Sequence, residues 1–431
     1  MVMKKTLIWI LLTLLMTDVS AQTAKEEIGN NLRLSASSLL AYRGPQTQLT
    51  PAPEGMVPFY ISHYGRHGSC YMANAVDYDY SYNVLRLAKV QGKLTQLGES
   101  VLERLGTIRD DARGRLGDLT KLGSEQHRQI AKRMFERFPE VFSNDAHVDA
   151  KSTIVIRCIL SMANATQQLA MMNPHLTITQ DASSHDMYYM NQNDPIFWKR
   201  ESDLEKSAPY LKFCKNHDLS NLLTKRLFND TSYVRRKMNS TRFNDHLFKA
   251  ASHIQNTELR NQVTLYDVFS DEEVYQNWLR ENARSYIGFA ASPLNDSMQP
   301  FSQRNLLRRI IAEADSCIAL PTPSASLRFG HETMVLPLVC LLDLNSYGQE
   351  IDDLEQVARK GWHNYNIFPM AANIQFIFYR RHPGDTDIVF KVLLNEDEAT
   401  LPLKTDMAPY YHWKDFREHF LSVLDTYVES Q

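Results

Sequence analysis

Apolar or ring-bearing side chains recur at every second position at Phe59, Ile61 and His63, and again at Ala325, Leu327 and Phe329. That period belongs to a strand. The second run leads straight into an apolar helical stretch. Residues 84–106 alternate apolar and polar groups at helical spacing, and Ile130, Met134 and Phe138 recur every four residues on one face, with Ser124 as the expected N-cap. A helix is predicted from Ile156 to about Met172. Residues 185–310 read differently, being charged and helical with few strand signals; Ser270 and Glu273 form a capping box ahead of Val274, Trp278 and Leu279. Strand signals return at 374–380 and 388–394, and a helix is expected over 413–427. Residues 22–56 look like an irregular lead-in.

These elements predict an α/β fold: a Rossmann-like three-layer core with a central mixed sheet flanked by helices, plus a mainly α-helical cap. The core is split, over 22–184 and 311–431, with 185–310 as the cap insertion. Residues 1–21 read as a signal peptide, because Lys4 and Lys5 precede an apolar run from Leu7 to Met16 and Val19-Ser20-Ala21 supplies a cleavage site. The run is too short to span a membrane. A periplasmic or secreted protein without a membrane span is expected.

Losing residues 1–21 removes two lysines and one aspartate, which takes the formal charge from −3 to −4. A basic nucleic-acid binder is therefore disfavoured. A hydrophobic content of 43% suits an ordinary globular core. Five cysteines are too few for a disulfide scaffold, and no CxxC pair suggests zinc or redox chemistry.

Candidate chemistry lies in two segments, Tyr64-Gly65-Arg66-His67-Gly68-Ser69 and Leu327-Arg328-Phe329-Gly330-His331-Glu332-Thr333. Each follows a strand, where an open α/β sheet places its ligands. The first offers an imidazole beside a guanidinium, and the second an imidazole beside a carboxyl group. Phosphoryl transfer needs this set: a nucleophile, cationic clamps and a proton donor. His63 and His67 have the spacing of a helical metal-ligand pair, but Gly65 and Gly68 disfavour a helix there. A third element, Ser152-Thr153 followed by Arg157 and Ser161, places another guanidinium at a helix start.

Taken in order, Arg66-His67-Gly68-Ser69, Leu119-Thr120 through Gly123 and Gln126, Ser152-Thr153 through Arg157 and Ser161, and His331-Glu332 resemble the motifs of the histidine acid phosphatases, branch 2 of the histidine phosphatase superfamily. The run from Phe59 to Gly68, with Phe368-Pro369-Met370-Ala371-Ala372-Asn373, is most similar to the multiple inositol polyphosphate phosphatases and phytases within that family. The resemblance implies that His67 attacks phosphorus and becomes a phosphohistidine. It further implies that Arg66, Arg157 and His331 hold the phosphate oxygens and that Glu332 protonates the leaving alkoxide. No metal or other cofactor is implied. The expected partner is a small phosphorylated molecule, an inositol polyphosphate such as phytate.

One position departs from the family. Its second motif arginine falls at Cys70, a neutral group at acid pH. Two alternatives to the leading reading follow: a broad acid phosphatase acting on sugar phosphates, and a weakened or degenerate binder of phosphorylated ligands. Arg328 and the basic 109–115 segment are candidates to replace the missing charge. Residues 86–137 carry twelve Lys or Arg against seven Asp or Glu, a face that would attract polyanions if it bordered the site.

Overall fold

The computed structural model describes residues 23–191 and 194–427. The expected signal peptide lies outside them. Eight strands form one mixed sheet: β1 (Val57–Arg66), β2 (His147–Ser152), β3 (Thr177–Asp181), β4 (Ser324–Gly330), β5 (Asn373–Arg380), β6 (Val389–Leu394), β7 (Asp397–Ala399) and β8 (Tyr411–His412). The order is β3-β2-β4-β1-β5-β6-β7, with β8 also on β6. The first four in this order run parallel, and β5 to β8 pair antiparallel.

Period-two patterning explains the layers. Ile61, Val148, Ala150, Ala325, Leu327 and Phe329 bury one face of the sheet against Met134, Met162 and Leu169 from the helices Lys121–Arg137 and Ile156–Met172 and against Phe138, which ends the first of them. On the other face, Tyr60, Tyr64, Phe376 and Phe378 join a core that includes Trp413, Phe416 and Phe420 of the helix Trp413–Asp425. The mixed sheet between helical layers is the architecture the sequence pattern predicts.

Between β3 and β4 every regular element of the described chain is a helix. Its longest helix, Asp271–Phe289, starts at the expected capping box, with Ser270 and Glu273 bonded reciprocally. The helix Ser240–His253 packs on Ala75–Val90, and Arg304–Ile318 packs on β1. Residue 310 therefore falls within a helix that lies on the sheet. No helix of the described residues is long and apolar enough to cross a membrane.

Two local readings change. The helix expected to start at Ser124 begins at Lys121, because Thr120 caps it by accepting from Gly123 N–H at 3.1 Å. Residues 24–39 are ordered as a helix, Ala24–Asn30, and a 3-10 segment, Leu32–Leu39, whose inner side is buried. The second of these reaches the candidate site.

Register brings the candidate residues together. Arg66 pairs with Gly330, and Ser152 with Phe329, so β1, β4 and β2 end level with one another. His67, His331 and the start of the Arg157 helix are the next residues out.

Candidate active site

His67 leaves β1 with its N–H donating to Gly330 C=O at 2.9 Å, while its own C=O accepts from Ala371 N–H at 3.0 Å. Its Nδ1 lies 2.9 Å from Gly68 C=O. A carbonyl can only accept, so Nδ1 carries the proton and Nε2 keeps its lone pair. Burial and then the Arg66 guanidinium hold the ring well below the usual histidine range; Arg157 and His331 add to this, and Glu332 opposes it. The imidazole is neutral at ordinary pH.

Glu332 opens the helix Glu332–Leu341. Its Oε2 lies 3.7 Å from His67 Nε2 and 3.1 Å from Arg66 Nε. The Arg66 pair is close but out of line, so neither Arg66 Nε nor Glu332 Oε2 makes a hydrogen bond. Burial pushes the Glu332 carboxyl up, but Arg66, His67 and His331 outweigh it and hold it well below the usual carboxylate range. Arg66 is itself anchored by Nη1, which donates to Ser38 C=O at 2.6 Å and Phe368 C=O at 2.9 Å.

His331 approaches His67 edge-on, with ring centroids 5.7 Å apart. Thr153 Oγ1 lies 3.2 Å from its Nε2, and Cys158 Sγ packs 3.7 Å from the same nitrogen. Burial lowers His331 to about 4, assisted by Arg157 and Arg66 and opposed by Glu332. Arg157 projects from the first turn of its helix past Gly117, and its buried Nε has no hydrogen-bond partner. All five residues predicted to form the site are thus assembled, the charge of Arg157 acting on both histidines.

The loop that carries His67 is clamped by residues that the motif comparison marked without assigning a task. Gln126 accepts from Ser69 N–H at 2.8 Å and donates to Ser69 Oγ at 2.9 Å. Thr120 donates to Ser69 C=O at 3.0 Å, and Ser161 accepts from Gly68 N–H at 3.1 Å. A Cβ on Gly68 would fall 2.4 Å from Gly123 O, and one on Gly123 2.2 Å from Ser69 O. Only two glycines permit that approach. Asn256, which accepts from Ser69 Oγ at 2.7 Å, was not singled out; it comes from the helical block, with no local pattern to mark it.

Cys70 is buried, and its thiol is pushed up to about 11 by burial, against the pull of Arg157 and Arg66. It is a free, neutral thiol, as is Cys158. Arg328 does not supply the missing charge: it is buried on β4, bonded to Ser62 and His63 C=O, and paired with Glu313. Nor do most of the 86–137 cations face the site. Arg133 and Arg137 hold Glu396, Arg104 holds Asp267, Arg109 holds Asp79 and Lys93 holds Asp230. Arg115 stacks on Tyr71 at 4.3 Å and borders the loop before Gly117.

His67, His331 and Glu332 place ligand atoms within 4.8 Å of one another, a spacing that a divalent cation would also accept. The guanidinium groups of Arg66 and Arg157 act in the same space, and their charge favours an anion. An electron pair on nitrogen, anion-binding guanidinium groups and a carboxyl group meeting at one point suit attack on a phosphate ester.

Solved structures share this fold. The multiple inositol polyphosphate phosphatase of Bifidobacterium longum, in complex with inositol hexasulfate, superposes with a TM-score of 0.74 at 15% identity, over 90% of this chain and 97% of that one. The phytase of D. castellii follows with 0.67 and 13%, over 91% and 85%. The Hafnia alvei phytase bound to tartrate gives 0.54 and 14%, over 86% and 98%. No curated protein matches the chain. The family described as the histidine phosphatase superfamily (branch 2) matches residues 64–395, and this chain belongs to that family.

Proposed function

We propose that the protein is a phosphomonoesterase of the inositol polyphosphate class, the class that includes phytate, and that it works through a phosphohistidine. The carrying observation is the bare Nε2 of His67, held by the Gly68 carbonyl and set 3.7 Å from the Glu332 carboxyl. The ester phosphate enters between Arg66 and Arg157, whose unpartnered Nε–H groups receive its oxygens. Guanidinium groups match phosphate geometry and stabilise its charge without reorganising. His67 Nε2 attacks phosphorus, and the ester oxygen leaves from the opposite side.

An alkoxide leaves only with a proton, so Glu332 must be protonated when the substrate is bound. In the free site Arg66 keeps it ionised. An arriving phosphate engages Arg66 and adds negative charge, and both effects raise the carboxyl towards protonation. After the alcohol departs, Glu332 as carboxylate takes a proton from the water that hydrolyses the phosphohistidine. His331 takes part as a neutral donor to a phosphate oxygen. The predicted leader supports a place in the periplasm or the exterior.

The reading is tested by release of orthophosphate from p-nitrophenyl phosphate and from inositol phosphates. His67→Ala should abolish release while leaving the circular dichroism spectrum and melting temperature unchanged. Full activity in that variant would refute it.

A further inference from the structure

A cavity of about 600 Å³ adjoins the catalytic pair, with Arg66 and Glu332 both on its wall. Glu332, the proposed proton donor, has to face the leaving group, so this chamber is where the leaving group goes. Its remaining wall comes from the 3-10 segment Leu32–Leu39 and from the helices Ala208–Asn216, Ser240–His253 and Asp271–Phe289.

The wall carries four cationic side chains, and each already holds carboxylates. Arg66 pairs with Glu332 at 3.1 Å, Lys249 with Asp77 at 2.8 Å, and Arg280 with Asp245 at 2.6 Å. Arg284 is shared among Glu205, Glu281 and Glu201. Four wall cations are therefore paired with six carboxylates, three of them (Asp245, Glu281 and Glu332) on the wall and three (Asp77, Glu201 and Glu205) behind it. The other polar wall groups are neutral: Ser35, Ser37, Ser38, Thr241, Ser252 and Asn277. Besides Arg66 Nε and Glu332 Oε2, three buried polar atoms there lack partners: Ser37 Oγ, Ser252 Oγ and Arg280 Nε. Ser37 holds a left-handed φ of 53°, which is costly away from glycine.

Hydroxyl and amide groups in a chamber whose cations are all paired with carboxylates suit a polyol, not a polyanion. Every further phosphate on the leaving group brings about −1.5 to −2 charge near pH 7. It must either displace a carboxylate from its cation or stand beside one. We propose that the chamber receives a polyol whose ring positions bear hydroxyls, so that inositol mono- to trisphosphates are the preferred substrates and the hexakisphosphate is a poor one. Ser37 Oγ and Arg280 Nε are the donors for those hydroxyls. This rests on the phosphatase reading above.

The test compares kcat/KM of the full chain for myo-inositol 1-phosphate, a bisphosphate and the hexakisphosphate. At least tenfold lower values for the hexakisphosphate than for the bisphosphate are expected; an equal or higher value overturns the proposal. The Asp245→Asn, Glu281→Gln double variant should raise the ratio of hexakisphosphate to monophosphate turnover by tenfold or more, and an unchanged ratio in the folded variant also overturns it. Calorimetry on His67→Ala, which cannot turn over, reads the same order as dissociation constants. If the parent releases no phosphate even from p-nitrophenyl phosphate while the bisphosphate still binds at least tenfold more tightly, the phosphatase reading fails and the chamber assignment stands. Tighter binding of the hexakisphosphate refutes the chamber assignment alone.

Discussion

Replacing Cys70 by arginine should speed the reaction. The Cys70 backbone is held in place, since its carbonyl accepts from His253 Nε2 at 2.8 Å and the residue bridges to Leu119. The thiol feels both Arg157 and Arg66 and is neutral at any pH the enzyme meets. A guanidinium at this point adds one positive charge next to a transferring phosphoryl group. At about 4 Å and an effective dielectric of about 20, the attraction is roughly 4 kcal/mol. Repulsion from Arg66 and Arg157 and the desolvation of a third guanidinium take back about half to two-thirds. The remaining ~1.4–2 kcal/mol corresponds to about ten- to thirtyfold in rate. The assay is kcat/KM for p-nitrophenyl phosphate and for phytate, with and without reductant, because Cys158 shares the site. Cys70→Lys should gain less, since an ammonium cannot match phosphate with a planar fork. A Cys70→Arg enzyme no faster than the parent under both conditions would refute the reasoning, and would mean that position 70 does not touch phosphate in this protein.

Glu332→Gln should slow glycerol 2-phosphate by about a hundredfold or more but p-nitrophenyl phosphate by less than about tenfold, because nitrophenolate hardly needs a proton; equal losses would remove Glu332 from the donor role. Gly123→Ala should cut kcat/KM by about a hundredfold, since its Cβ would fall 2.2 Å from Ser69 O and displace the loop that aims His67. A variant of parental activity would show that the clamp is dispensable. Acid should destabilise the fold: burial lowers His63 to about 3 and His127 to about 4, so both are neutral when folded and bind protons near 6.5 when unfolded. Their stability is complete above pH 6.5 and falls as the pH drops towards 4, by about 1.4 kcal/mol per pH unit for each. A melting temperature that is flat or rising from pH 6.5 to 4 would contradict this.

The sheet and the clustering of His67 with Glu332 were legible because both are local in sequence. Strand alternation at Phe59–His63 and Ala325–Phe329 marked β1 and β4, and the chemistry follows each strand directly. What stayed hidden depends on distance along the chain. Nothing near Thr120 or Gln126 announces that they grip Ser69, some fifty residues away, although the motif spacing flagged them. The lead-in at 32–39 gave no periodic signal, because its ordering comes from contacts such as Ser38 C=O receiving Arg66. Whether the basic excess over 86–137 borders the site was not legible for the same reason: composition counts charges, while pairing with Glu396, Asp267 and Asp230 decides which remain available. β7 and β8, three and two residues long, exist only by pairing with β6.

The most direct test of the account is to trap the covalent intermediate. Enzyme mixed with ³²P-labelled p-nitrophenyl phosphate and denatured within milliseconds should carry acid-labile, alkali-stable phosphate on the peptide containing His67. Label on a peptide lacking His67, or steady turnover with no protein-bound phosphate at any quench time, would contradict it.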